Sequence, residues 1–221
     1  MQAPTTISWV TVSLLSLVVF ATVCGAFTQV VPYFPKKSRP SDKSPEAAAM
    51  VGLQLGYEVE NFVGVAAWTA DSQPAVIESY PLKKKSGVAP VPFPTLFWLS
   101  DRRLSAAVSG IEKDGGVSAA RDFLRADDSR LVALADCHDR YRRRRHRLLT
   151  PEDQHLTQNM TFLQQGIAGI RNPQDVKCLH AHYAQYLADL DEPRNPIGQW
   201  LHHRLPRHIQ HLALQHQEGE K

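Results

Sequence analysis

The spacing of apolar and polar positions divides the chain into five zones. Ile7–Ala26 is a 20-residue apolar run, softened by Ser8, Thr11, Ser13, Ser16 and Thr22. Residues 35–48 are Pro, Ser, Lys and Ala with little to bury, and read as a linker. From about Met50 the pattern becomes that of a folded domain. Phe62–Thr69 and Ala75–Tyr80 are short β-branched runs split by Asp71–Pro74, a hairpin pattern. Lys83–Lys85 and Gly87 form an exposed loop. Val88–Pro94 carries three prolines, which rules out a central strand because proline lacks the ladder N–H. Thr95–Ser100 reads as a buried third strand.

After Asp101 the apolar period changes from two to three-and-four. Leu104, Val108 and Ile111 predict a helix that stops at Gly115–Gly116, and Val117–Leu124 predicts another. Asp127 or Asp128 caps a long helix with Leu131, Leu134, His138, Tyr141 and Leu148 on one face. Pro151–Leu163 predicts a further helix. Asn172 with Pro173 reads as a cap and first turn for a helix with Val176, Leu179, Tyr183, Leu187 and Leu190 along its apolar stripe. Asn195–Pro196 repeats that start, and Pro206 divides the last helix. The fold class is α+β: a small antiparallel sheet over 62–100, covered by a mostly helical C-terminal two-thirds. Residues 50–216 form one domain, and 217–221 a disordered tail.

The N-terminal zone changes the picture of location. Residues 1–35 hold no charged side chain, and the apolar run ends Cys24-Gly25-Ala26, small residues of the kind a signal peptidase reads. Residues 1–26 are therefore a signal peptide or a membrane anchor, and 27–49 a linker or transit-like segment. Cleavage before Phe27 makes this an exported chain. The Ala26-Phe27 junction with Lys36, Lys37, Arg39 and Lys43 resembles the two-part presequences of algae with complex plastids. Membrane contact follows only if Ile7–Ala26 is retained.

Composition and chemistry narrow the function classes. The chain has 221 residues, 43% of them hydrophobic, which suits one domain with a core. A net charge of +3 is below what a dedicated nucleic-acid domain carries. Three cysteines without a CxxC give no support for a zinc ribbon or a thioredoxin-like site.

Gly166–Ala188 is the densest stretch in reactive side chains. Gly166 and Gly169 in GIAGIR, with Arg171 and Lys177 flanking a helix start, fit an anionic small molecule. Cys178 with His180 and His182, and His138 on the long helix, fit a thiol- or metal-dependent site holding zinc or iron. The catalytic residues of such a site would be Cys178, His180 and His138, and its metal ligands Cys178, His180 and His182. Arg140–Arg147 reads first as a solvated helix end and second as a nucleic-acid or membrane-surface patch. Consecutive arginines wrap the helix and cannot all face one ligand, and Tyr141 alone is thin for base stacking. A binding or regulatory module with an anion site at Gly166–Lys177 is the leading reading. The Cys178-centred enzyme is the alternative, and the arginine surface a second one.

PFPTLFWLS (Pro92–Ser100), LSAAVSGIEKDGGV (Leu104–Val117), VKCLHAHYAQYLA (Val176–Ala188) and the later NPIG (Asn195–Gly198) together resemble the bacterial domain-of-unknown-function family numbered five hundred and one. The resemblance spans roughly Gly64 to Leu205 and implies no reaction. Many members carry a CPCG-like turn after the first strand and a cysteine after the third, which with the KCLH cysteine could form a metal site. This chain departs there, with Trp68-Thr69-Ala70-Asp71 at the turn and Asp101 near the later position. A four-thiolate site is therefore excluded here; what the resemblance leaves for a mixed zinc or iron site is Cys178, His180, His182 and His138, with Asp101 as an optional further ligand.

Overall fold

The computed structural model describes residues 39–213. The signal or anchor reading of Ile7–Ala26 and the tail 217–221 lie outside them. Among the described residues no helix is long and apolar enough to cross a membrane.

The folded chain starts earlier than the composition indicates. Residues 35–48 do not all form a linker, because helix α1 spans Pro45–Leu55, capped by the Ser44 side chain with proline in its first turn. Four small residues hid this helix from the hydrophobic pattern, yet Ala47 and Val51 are fully buried. They pack with Val65, Trp68 and Ile77.

Strands β1 (Phe62–Trp68), β2 (Pro74–Ser79) and β5 (Phe97–Leu99) make one antiparallel sheet in the order β1-β2-β5. β2 is central and buried along its whole length. The segment read as an exposed loop is instead a separate two-stranded ribbon of β3 (Leu82–Lys85) and β4 (Val88–Pro92). It tolerates Pro90 and Pro92 because a two-stranded ribbon has only edge strands.

The helices follow: α2 (Arg102–Lys113), α3 (Gly116–Arg125), α4 (Asp128–Leu148), α5 (Pro151–Thr157), α6 (Leu179–Ala188), α7 (Pro196–His202) and α8 (Arg207–Ala213). The architecture is α+β, a small antiparallel sheet followed by a mostly helical part. Capping residues set several starts. Asp101 accepts from the N–H groups of Arg103 and Leu104, Asp127 from Ser129, and Asn195 from Ile197 and Gly198. Pro206 separates α7 from α8, as its missing N–H requires.

One start differs from expectation. Asn172 does hold a turn, accepting from the Gln174 N–H at 3.1 Å. The chain from Asp175 to Cys178 then runs without helix, and α6 begins at Leu179 with Cys178 as its N-cap. A capping pair is a local signal; here the buried Val176 pins the chain before the helix begins. α6 is the central helix, packed on β5, α7 and α2. Most of its residues are buried, so its surface is nearly all core.

Candidate functional site

Cys178, His180 and Glu112 meet where the last turn of α2 approaches the start of α6. One donor atom from each of these three lies within 4.8 Å of the others. Among the described residues they are the group of three or more His, Cys, Asp or Glu that could enclose a metal ion. Glu112 holds the two elements together. One carboxylate oxygen accepts from the Leu179 N–H at 2.5 Å, and the other lies 3.2 Å from His180 Nδ1. A carboxylate here also meets the positive end of α6.

The second nitrogen of the His180 ring meets earlier turns of α2. His180 Nε2 lies 3.1 Å from the Ser105 carbonyl and 3.0 Å from Ser109 Oγ. The carbonyl accepts only, so Nε2 carries a proton and donates to it. His180 is pushed up to about 9, foremost by its hydrogen bond with Cys178, and then by the Glu112 charge and the Ser105 carbonyl, against burial. Near neutral pH the metal-free site therefore holds His180 as an imidazolium, set between Cys178 and Glu112. The His180 and Glu112 side chains are each 26% exposed, so small solutes reach the cluster.

His138 and His182 take other partners. Both are fully buried, and their rings meet edge to face with centroids 6.2 Å apart. His138 Nδ1 accepts the Ile167 N–H at 3.1 Å. His182 Nδ1 faces Asn195 Nδ2 at 3.3 Å, and Asn195 Oδ1 is committed to capping α7, so its amide nitrogen is the donor. Both rings thus carry their proton on Nε2, and neither Nε2 has a hydrogen-bond partner among the described residues. Burial lowers His138 to about 4, aided by the Arg142 charge, and lowers His182 to about 3, aided by His138. With Nδ1 receiving a backbone N–H, His138 is bound into the core as a neutral ring.

Gly166 belongs to that core. A Cβ there would stand 2.4 Å from His138 Nδ1, so the glycine lets backbone and ring touch. Gly169 has a φ of 70° and Ala168 a φ of 58°, both left-handed. The N–H groups of Gly166 and Gly169 close the turn internally, onto the carbonyls of Ile170 and Gly166. Arg171 and Lys177 are exposed and lie eight and two residues before Leu179, where α6 starts, so they share no helix end with the glycines. The helix start that the anion reading assumed at Asn172 is absent.

Asp101 is also elsewhere. It caps the N-terminus of α2, whereas Glu112 sits in the last turn. Eleven residues at 1.5 Å rise separate them by about 16 Å. Arg103 bridges Asp101 and Asp71, with Nη2 2.7 Å from Asp101 Oδ2 and Nη1 2.7 Å from Asp71 Oδ2. An arginine-carboxylate network thus occupies this end of α2, away from Cys178.

Sequence reasoning missed Glu112, Ser105 and Ser109. Ser105, Ser109 and Glu112 recur at four and three residues on one face of α2, which is the signal that could have found them. What the pattern lacks is any indication that α6 lies across that face.

Residues 65–203 match a family model described as "Protein of unknown function (DUF501)". No curated protein and no solved structure matches the chain.

Proposed function

We propose a function from the site itself, because the chain belongs to the DUF501 family, which is described only as of unknown function. Glu112, Cys178 and His180 form a zinc-binding centre with one coordination position open to solvent. The observation that carries this reading is the approach of a thiol, an imidazole and a carboxylate to within 4.8 Å. Zinc bonds of about 2.0–2.3 Å place donor atoms roughly 3.3–3.7 Å apart in a tetrahedron, so closing onto the ion takes shifts on the order of an ångström. Sulfur, nitrogen and oxygen donors together suit zinc better than calcium or magnesium, which take oxygen alone. Three protein ligands leave the fourth position for water or a ligand, the pattern of a reactive centre more than a closed structural one. The Ser105 carbonyl on the far nitrogen of His180 supplies the orienting contact such histidines carry.

The test is zinc affinity by competition with a chromophoric chelator, on full-length protein without a histidine tag. Wild type is expected to bind one zinc per chain. Loss of an orienting contact alone costs about 10–100-fold in affinity, so Cys178→Ala, which removes a ligand, should cost more than about 100-fold. Affinity should also rise with pH up to about 9, because His180 must give up a proton to bind. Equal affinity in wild type and Cys178→Ala would overturn the reading and assign any bound metal to other histidines, such as His203, His208 and His211.

A further inference from the structure

Helix α4 carries a second site, unrelated to the zinc centre. Of the arginines in the run, Arg140, Arg143, Arg144 and Arg147 are spaced at three, four and seven residues, which places them on one face. Arg142 turns away and pairs with Asp139, while Arg145 turns fully inward. The four-arginine face lines a pocket of about 240 Å³, closed on its far side by α6 and the residues after it.

Two of the four are fixed and two are free. Arg144 makes a two-point contact with Glu78, at 2.6 and 2.8 Å. Arg140 is held by Asp189 at 3.0 Å and by the Pro193 carbonyl at 2.8 Å. Arg143 and Arg147 are exposed and make no hydrogen bond or ion pair among the described residues. The pocket therefore has two braced guanidinium groups and two without partners. Four arginines stand against Asp189 and Asp191 in its lining, so its charge is positive.

We propose that this pocket binds a compact phosphate-bearing small molecule through Arg143 and Arg147, with Arg140 and Arg144 as the fixed wall. Guanidinium groups match phosphate oxygens in two-point contacts, and unpaired arginines on one face supply several. The size favours a phosphate or diphosphate group over a larger ligand, since sites for drug-sized molecules begin at about 300 Å³. The aromatic residues here are Phe97 and Tyr141, only 5% and 2% exposed. They offer almost no ring face for a nucleobase to stack on, so single-stranded nucleic acid lacks the platform it uses elsewhere.

The experiment is calorimetric titration of the full chain with inorganic pyrophosphate and, separately, inorganic phosphate. The proteins are wild type, Arg143→Ala/Arg147→Ala and Arg142→Ala. Saturable binding at one site is expected for wild type and Arg142→Ala, with pyrophosphate the tighter ligand. The double variant should lose about tenfold or more in affinity, as expected when charged hydrogen bonds are removed. Three results would overturn the proposal. One is an unchanged affinity in the double variant. Another is the absence of saturable binding to either anion. The third is binding of single-stranded RNA that depends on Arg143 and Arg147 where pyrophosphate does not bind.

Discussion

Arg145→Met is expected to destabilise the fold by about 3–5 kcal/mol in urea or guanidinium unfolding. Arg145 is fully buried and has no ion pair among the described residues; its guanidinium lies over the Tyr141 ring and donates to backbone carbonyls. Nη2 and Nε donate to the Pro94 carbonyl at 2.6 and 3.1 Å. Nη1 donates to the carbonyls of Phe162, Leu163 and Gln165 at 3.2, 3.3 and 2.5 Å. One side chain thus ties the proline segment before β5 to the turn that leads into Gly166. Methionine fills similar space but leaves four carbonyls, that of Phe162 buried and the others partly so, without these donors. Lysine should not rescue, because a point ammonium cannot reproduce the planar fork. Arg143→Ala, two positions away in sequence and on the exposed side of the helix, should stay within about 0.5 kcal/mol of wild type. Equal stability of Arg145→Met and Arg143→Ala would refute the clamp.

Acid should weaken the fold well before its carboxylates titrate. In the unfolded chain His138 and His182 take up protons near their ordinary value of 6.5, whereas in the fold they resist protonation down to about 4 and about 3. Between these values the unfolded state binds more protons, so stability rises with pH there and is fully present above 6.5. Each ring contributes roughly 1.36 kcal/mol per pH unit, or about 2 kcal/mol lost per ring at about pH 5. His202, also lowered by burial, acts in the same direction. In the metal-free protein His180 works the other way: its contribution is full below 6.5 and fades as pH rises through about 9. Unfolding free energies measured from about pH 5 to 7 should therefore climb by several kcal/mol, with uptake of about two or more protons on unfolding at the acid end. A flat profile would mean that the His138–His182 pair is not buried neutral.

Much of the fold was legible because it rests on local signals. Asp127 and Asn195 announce helix starts by chemistry that acts within three residues. β1, β2 and β5 show β-branched and apolar runs, and Pro206 breaks a helix wherever it stands. The errors came where distant packing decides. Asn172–Pro173 offers a good cap, yet the backbone after Asp175 is extended because Val176 is drawn into the core. α1 is written in alanine and glycine and only reveals its apolar face against Trp68, whose indole donates to Asp42 at 2.6 Å.

The site was half legible for the same reason. Cys178 and His180 are two apart in sequence and stand out as reactive types. Glu112 is 66 residues from Cys178 and joins them only through the crossing of α2 and α6. The grouping of His138 and His182 with Cys178 followed from residue type, but burial and fixed tautomers commit both rings to the core. In the arginine run, consecutive side chains point around the helix, as their spacing requires. The same angles that send Arg142 outward and Arg145 inward leave a four-residue stripe facing α6.

Cobalt substitution reports the ligands of a centre at Glu112, Cys178 and His180 as well as its stoichiometry. Full-length protein, without a tag and reduced, would be titrated with Co²⁺ and its absorption recorded. Saturation is expected at one ion per chain, with intense visible bands of a four-coordinate site and a sulfur-to-cobalt charge-transfer band in the near ultraviolet. Cys178→Ala should abolish the charge-transfer band, and one equivalent of zinc should displace the cobalt. Weak six-coordinate bands with no sulfur charge transfer, or a spectrum that Cys178→Ala leaves unchanged, would contradict a metal centre at Glu112, Cys178 and His180.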